Sequence, residues 1–178
     1  RSSAIVFDLR SSPLREVNTA LHAPDLAGEV IIENPAGAHN VAVGLNAPAT
    51  VTVDGHVGYY AAGMNQQADV VINGNAGTGV AENMMSGTVV VKGNASQSAG
   101  ATAHGGLLVV EGDAAARCGI SMKGVDIVVG GNVGHNSAFM AQAGRLVVRG
   151  DAGDGGHVVQ HSAVGLESRA DPDGPPVD

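Results

Sequence analysis

The sequence predicts an all-β fold, a right-handed single-stranded parallel β-helix of six nineteen-residue coils with a short helix at its N-terminal end. Three observations carry this expectation. Gly55, Gly74, Gly93, Gly112, Gly131 and Gly150 follow one another at a constant interval of nineteen positions, without an insertion. Each is preceded at the same two offsets by an apolar pair, from Val51 and Val53 in the first copy to Leu146 and Val148 in the last. Finally, Gly accounts for 27 of 178 residues while aromatic residues make up 2% and Trp is absent, so the core must be built from small side chains.

The repeat is the first thing to settle, because a period of this length decides the whole fold. Each copy reads apolar, any, apolar, polar, Gly, then a corner residue and a small apolar one. The corner residues are His56, Asn75, Asn94, Asp113, Asn132 and Asp151. Val57, Ala76, Ala95, Ala114, Val133 and Ala152 follow them. An i, i+2 apolar pair rich in Val and Ile is a strand with one face inward. Gly followed by Asn or Asp is a bend of the kind that takes φ > 0. At ~3.3 Å per residue the coil perimeter is roughly 60 Å, which closes as three short faces. Coils stacked at ~4.8 Å place equivalent residues directly above one another. The pattern therefore predicts an internal apolar stack and a corner ladder of Asn and Asp. The unit is too short for a propeller blade and carries no helical period.

The chain divides into an N-terminal strand and capping helix over 1–25, the β-helix over 26–163, and a flexible polar tail over 164–178. Residues 12–22 read as a helix: Ser12 caps, Pro13 fits the first turn, Leu14, Val17 and Leu21 share a face, and Pro24 ends it. That helix is expected to cover the open end of the stack. Val30, Ile31 and Ile32 read as a strand and Val41 with Val43 as another, in an irregular first coil over 26–50. Beyond Gly150 the period fails, since its strand positions would be Gly165 and Glu167. The polar, Pro-rich text from Ala163 leaves the last coil edge uncovered unless a partner closes it.

Composition excludes several function classes. Lys plus Arg number 9 against 17 Asp plus Glu, a net charge of −8, which opposes nucleic-acid binding. Phe7, Tyr59, Tyr60 and Phe139 are too few to stack bases or sugars. Cys118 stands alone, which excludes an internal disulfide and Cys-rich zinc sites. With no signal segment or membrane-spanning run, a cytoplasmic location is expected. The polysaccharide-lyase form of a self-sufficient β-helix enzyme would need acids aligned at one repeat position, and Asp54, Glu82, Glu111, Asp126 and Asp154 do not align. The acyltransferase form uses different coil motifs. An ice-binding face would need Thr ladders, and Thr50-Val51-Thr52 is too little.

Several stretches resemble the GXGXG domain of glutamate synthases: Gly55 to Asn65, Gly74 to Gly77, Ala81 to Gly87 and Cys118 to Gly124. The resemblance covers about residues 5–153 and is strongest to the stand-alone GXGXG subunit of glutamate synthase-like enzymes, N-methylglutamate synthase among them. It implies a right-handed β-helix without chemistry of its own. Such a domain links a glutamine amidotransferase-like partner to an FMN-binding synthase partner in glutamate or N-methylglutamate formation. No cofactor is expected on this chain alone. FMN, with an iron–sulfur cluster as a further candidate, belongs to a partner subunit of a hetero-oligomer. A more distant likeness is to a subunit of formylmethanofuran dehydrogenase. The chain departs from the family pattern after Gly153.

No catalytic, cofactor-binding or metal-ligating residue is expected. Cys118 reads as a buried hydrophobe, because nothing places Lys123 beside the thiol. His22, His39, His56, His104, His135, His157 and His161 show no metal-binding spacing. No phosphate-cradling glycine motif occurs either. The methionines Met64, Met84, Met85, Met122 and Met140 fall nine to eleven positions after their anchor glycines, at one height of the coil. Tyr59, Tyr60, Asn83, Lys123, Phe139 and Gln142 lie on the same arcs. A partner interface formed by Tyr59, Tyr60, Met64, Asn83, Met84, Met85, Lys123, Phe139 and Gln142 is one reading; core filling is the other. Adjacent Met84 and Met85 cannot both face inward.

Overall fold

A computed structural model describes residues 3–151 and, beyond them, a strand at 164–168. The elements are β1 (Ile5–Asp8), α1 (Leu14–Leu21), β2 (Gly28–Glu33), β3 (Ala49–Asp54), β4 (Asp69–Ile72), β5 (Thr88–Val91), β6 (Leu107–Val110), β7 (Lys123–Val129), β8 (Ala143–Val148) and β9 (Val164–Ser168). The nine strands form one parallel sheet in sequence order. Each strand lies beside its counterpart from the previous coil, so the chain is a parallel β-solenoid with one short helix among the described residues.

The register repeats the sequence period. Val51 pairs with Val70, Val70 with Val89, Val89 with Leu108, Leu108 with Ile127, and Ile127 with Leu146, each step being nineteen positions. Alternation then places these residues inside, with Val53, Ile72, Val91, Val110, Val129 and Val148 beside them, all at most 1% exposed. A second line of parallel bridges runs Val57, Ala76, Ala95, Ala114, Val133. The rest of each coil is an arc of turns rather than a third strand.

The ends depart from the period. Ile5 pairs with Val30 and Val30 with Val51, offsets of twenty-five and twenty-one positions. Leu146 pairs with Leu166, an offset of twenty. One extra residue brings Leu166 and Ser168, rather than Gly165 and Glu167, into line with the apolar pair of β8. β9 thus lies along the edge of β8 that the sequence left uncovered, inside the stretch read as a tail. The rest of that stretch lies outside the described residues.

Val41 and Val43, expected on a strand, lie instead on turns. Asn40, Ala42 and Gly44 have φ of 59°, 58° and 70°, which no strand accommodates. They are the arc of the first coil. Helix α1 is shorter than expected and begins after Pro13, which sits at the cap position; no side chain caps it, so Ser12 does not take that role. Its apolar stripe buries Val17 and Leu21 against the end of the core.

Asn18 explains how the helix closes the stack. In the coils above, Ala62 N–H donates to Val41 O, Ala81 N–H to Ala61 O and Gly100 N–H to Val80 O. Ala42 has no coil beneath it. Its N–H donates to Asn18 Oδ1 at 3.1 Å, and Asn18 Nδ2 donates to Asn40 O at 2.8 Å. One side-chain amide thus replaces the missing peptide group, which satisfies backbone polarity that would otherwise end unpaired.

Candidate functional site

The corner residues form the expected ladder, and its geometry is uniform. Asn75 Oδ1 accepts the N–H of Asn94, Asn94 Oδ1 that of Asp113, Asp113 Oδ1 that of Asn132, and Asn132 Oδ1 that of Asp151, at 2.7–2.8 Å. His56 heads the ladder, its Nδ1 accepting the N–H of Asn75 at 2.8 Å. His39 repeats the device one coil earlier, accepting from Tyr59 N–H and stacking on the Tyr59 ring at 4.4 Å. These two imidazoles therefore act as acceptors within the backbone scaffold.

The anchor glycines serve close stacking more than unusual torsion. Of the six, Gly55 alone has a positive φ. A Cβ on Gly112 would collide with Asn94 Oδ1 and lie 2.8 Å from Gly93 O. The left-handed glycine that such a bend can take is thus found at Gly55 alone; at Gly93, Gly112, Gly131 and Gly150 the ladder oxygen of the coil below occupies the space of a side chain.

Cys118 is completely buried in the core, and burial pushes its thiol up to about 12. A thiol so held is a poor nucleophile. Among the described residues no group of His, Cys, Asp and Glu could hold a metal ion. His104 and His135 are exposed, and His157, His161 and Asp154 lie outside the described residues.

The structure separates the methionines. Met84 and Met122 are fully buried, whereas Met64, Met85 and Met140 are exposed. Met84, counted on sequence with the interface, is instead core. Tyr59 and Phe139 are exposed, as are Lys123 and Gln142, while Tyr60 and Asn83 are half-buried. The surviving surface residues share one side because the arc repeats with the coil: Met64 N–H donates to Glu82 O, Asn83 N–H to Ala101 O, and Ser121 N–H to Phe139 O.

Alternate residues along each arc are left-handed. In the coil from Tyr60 these are Tyr60, Ala62 and Met64; in the next, Gly79, Ala81 and Asn83; then Ser98, Gly100 and Thr102. The inner position is Ala or Gly in these coils, because it is packed against the strand residues: a Cβ on Gly100 would lie 2.8 Å from Ile127 Cδ1. The outer positions are freer, and there the side chains differ from coil to coil.

One group on this surface was missed on sequence. Glu82 is half-buried, its carboxylate accepts no hydrogen bond from the described residues, and desolvation raises its carboxyl above the ordinary value. A Cβ on Gly79 would come within 2.7 Å of its Oε2 and 3.6 Å of Tyr60 Cδ2, so the glycine leaves room for both groups. Asn83 Nδ2 donates to Tyr60 Oη at 3.0 Å, and the Thr102 hydroxyl donates to Asn83 Oδ1. Several other carboxylates are internally partnered: Asp8 by Arg10, Asp54 by Asn73, Glu111 by Lys92 and Asp126 by Arg145. Glu82 gave no signal because its non-alignment across the repeat drew no attention to it.

Two other surfaces stand apart from the arc. The outer face of the sheet carries half-buried Val71, Val90, Val109, Val128 and Val147 in one line, bordered by the charged pairs Lys92–Glu111 and Arg145–Asp126. A groove of about 530 Å³ beside α1 is lined by Leu14, Arg15, Asn18, Thr19, His22 and Asn40. Among the described residues no helix is long and apolar enough to cross a membrane.

Comparison with known proteins gives a partial likeness. The chain is 62% identical over 62 residues to Protein GlxC of Rhizobium meliloti (strain 1021), a stretch covering 32% of this chain and 26% of that protein. The match thus spans about a quarter of the relative's length. No protein-family profile matches the chain, and no solved structure matches it.

Proposed function

We propose that this chain is the non-catalytic solenoid component of a glutamate synthase-like assembly. It joins a glutamine amidotransferase-like partner to an FMN-binding synthase partner, and the assembly forms glutamate or N-methylglutamate. The FMN, and any iron–sulfur cluster, belongs to the synthase partner. The observation that carries this reading is the engagement of the repeated polar groups. His56, Asn75, Asn94, Asp113 and Asn132 bond the backbone of the next coil, and Cys118 is sealed in the core. What remains on the arc is an exposed set of Tyr, Met and Phe side chains suited to contact with another protein. The GXGXG resemblance and the likeness to GlxC support the same reading.

The test is purification of the chain from its native source under mild conditions, followed by native mass measurement and a flavin absorbance scan. A yellow complex containing two further chains is expected. A colourless chain free of partners, or an isolated chain that hydrolyses glutamine, overturns the proposal in favour of a self-sufficient β-helix protein.

A further inference from the structure

The arc beside Tyr60 holds a half-buried carboxylate, Glu82. Elsewhere, several carboxylates meet cations or amides of the same chain. Here Glu82 Oε2 lies over Gly79, a glycine that the Tyr60 ring also borders, and the carboxylate has no such partner among the described residues. Tyr60 and Asn83 are held by each other, and Asn83 is held from the other side by Thr102, so the walls are preorganised. Exposed Met64 and Met85 form an apolar rim on the same arcs. A carboxylate, an aromatic face and thioethers together favour a cation carried on an apolar stem. The net charge of −8 adds a long-range pull of the same sign.

Resting on the assembly proposed above, we infer that this patch docks a partner-protein segment that seats one Arg or Lys side chain over Glu82, against Tyr60 and Asn83. The apolar rim excludes water around the pair, and that desolvation strengthens the attraction. Arg117 and Lys123 lie exposed on the arc two coils further on, a rise of about 10 Å along the stack at the ordinary coil spacing. They repel a second cation there and so set the direction in which the segment lies. The raised carboxyl of Glu82 fits a group whose charged form lacks its partner in the isolated chain.

The test compares the full chain with its Glu82→Gln and Glu82→Arg variants, each tagged and titrated with the two partner chains purified from the native complex. Thermal melting of the isolated variants controls for folding. The expected result is that Glu82→Gln binds at least about tenfold more weakly and Glu82→Arg fails to assemble, while both melt no lower than the parent. Raised salt should weaken the parent more than Glu82→Gln. Unchanged assembly of both variants overturns the inference and leaves the scaffold proposal standing. Loss of assembly on Val90→Glu but not on Glu82→Arg assigns docking to the sheet face and overturns it equally. Failure of the parent chain to bind either partner overturns the scaffold proposal, and the inference with it.

Discussion

At the scale of single residues, the environment decides chemistry that residue identity leaves open. Cys118 is the sequence's sole thiol, and its complete burial pushes it up to about 12 from an ordinary 9.0. Native protein should therefore resist a thiol reagent at pH 8 and react once unfolded. The folded pKa is raised, so the contribution is fully present below pH 9 and is lost as pH rises from 9 toward 12. Cys118→Ala should remove that alkaline loss, visible as a flatter melting profile above pH 9. Glu82 runs in the same direction at lower pH. Desolvation raises its folded pKa, so the charged carboxylate costs stability at neutral pH and nothing below the unfolded value of about 4.3. Glu82→Gln should raise the melting temperature of the isolated chain at pH 7 and leave it unchanged at pH 3. Cys118 was legible on sequence as a core residue. Glu82 was not, because neither its depth nor the space left by Gly79 has a sequence signature.

At the scale of elements, backbone polarity has to be satisfied between coils, and side chains do part of this. Asn94→Ala removes the acceptor for Asp113 N–H and should cost about 1 kcal/mol in chemical denaturation. Gly112→Ala places a methyl group against Asn94 Oδ1 and Gly93 O and should cost about 2 kcal/mol or more. The two changes share one contact. The double variant should therefore be more stable than the sum of the singles predicts, by an amount that a double-mutant cycle reads. The helix obeys the same rule. Asn18→Ala leaves Ala42 N–H and Asn40 O unpaired at the end of the stack, at a cost of about 1–3 kcal/mol. Hydrogen exchange at Ala42 should accelerate selectively. A variant that left this amide protected would show that the helix closes the stack by apolar contact alone. The strands and the corner ladder were legible because their periods are fixed by pleat and coil. The arc was not: its left-handed residues include Ala62, Met64, Ala81 and Thr102, types with no preference for that conformation. Tertiary hydrogen bonds between coils hold them there.

At the scale of the whole molecule, the amino-acid order was enough to specify the solenoid, its pitch in residues, the residues of its apolar stack and the closing position of its helix. It was enough because a coil that stacks on its own copy must repeat its inward side chains, its tight corners and its corner amides at a constant interval. Each of these leaves a mark at a fixed sequence distance. Other features emerged from the folded molecule alone: which methionines face solvent, where Asn18 stands in for an absent coil, how β9 slips by one residue to reach β8, and that Glu82 is set over Gly79 without a partner among the described residues. Those features depend on depth, on neighbours one coil away and on the unrepeated ends of the stack, and none of these recurs along the chain.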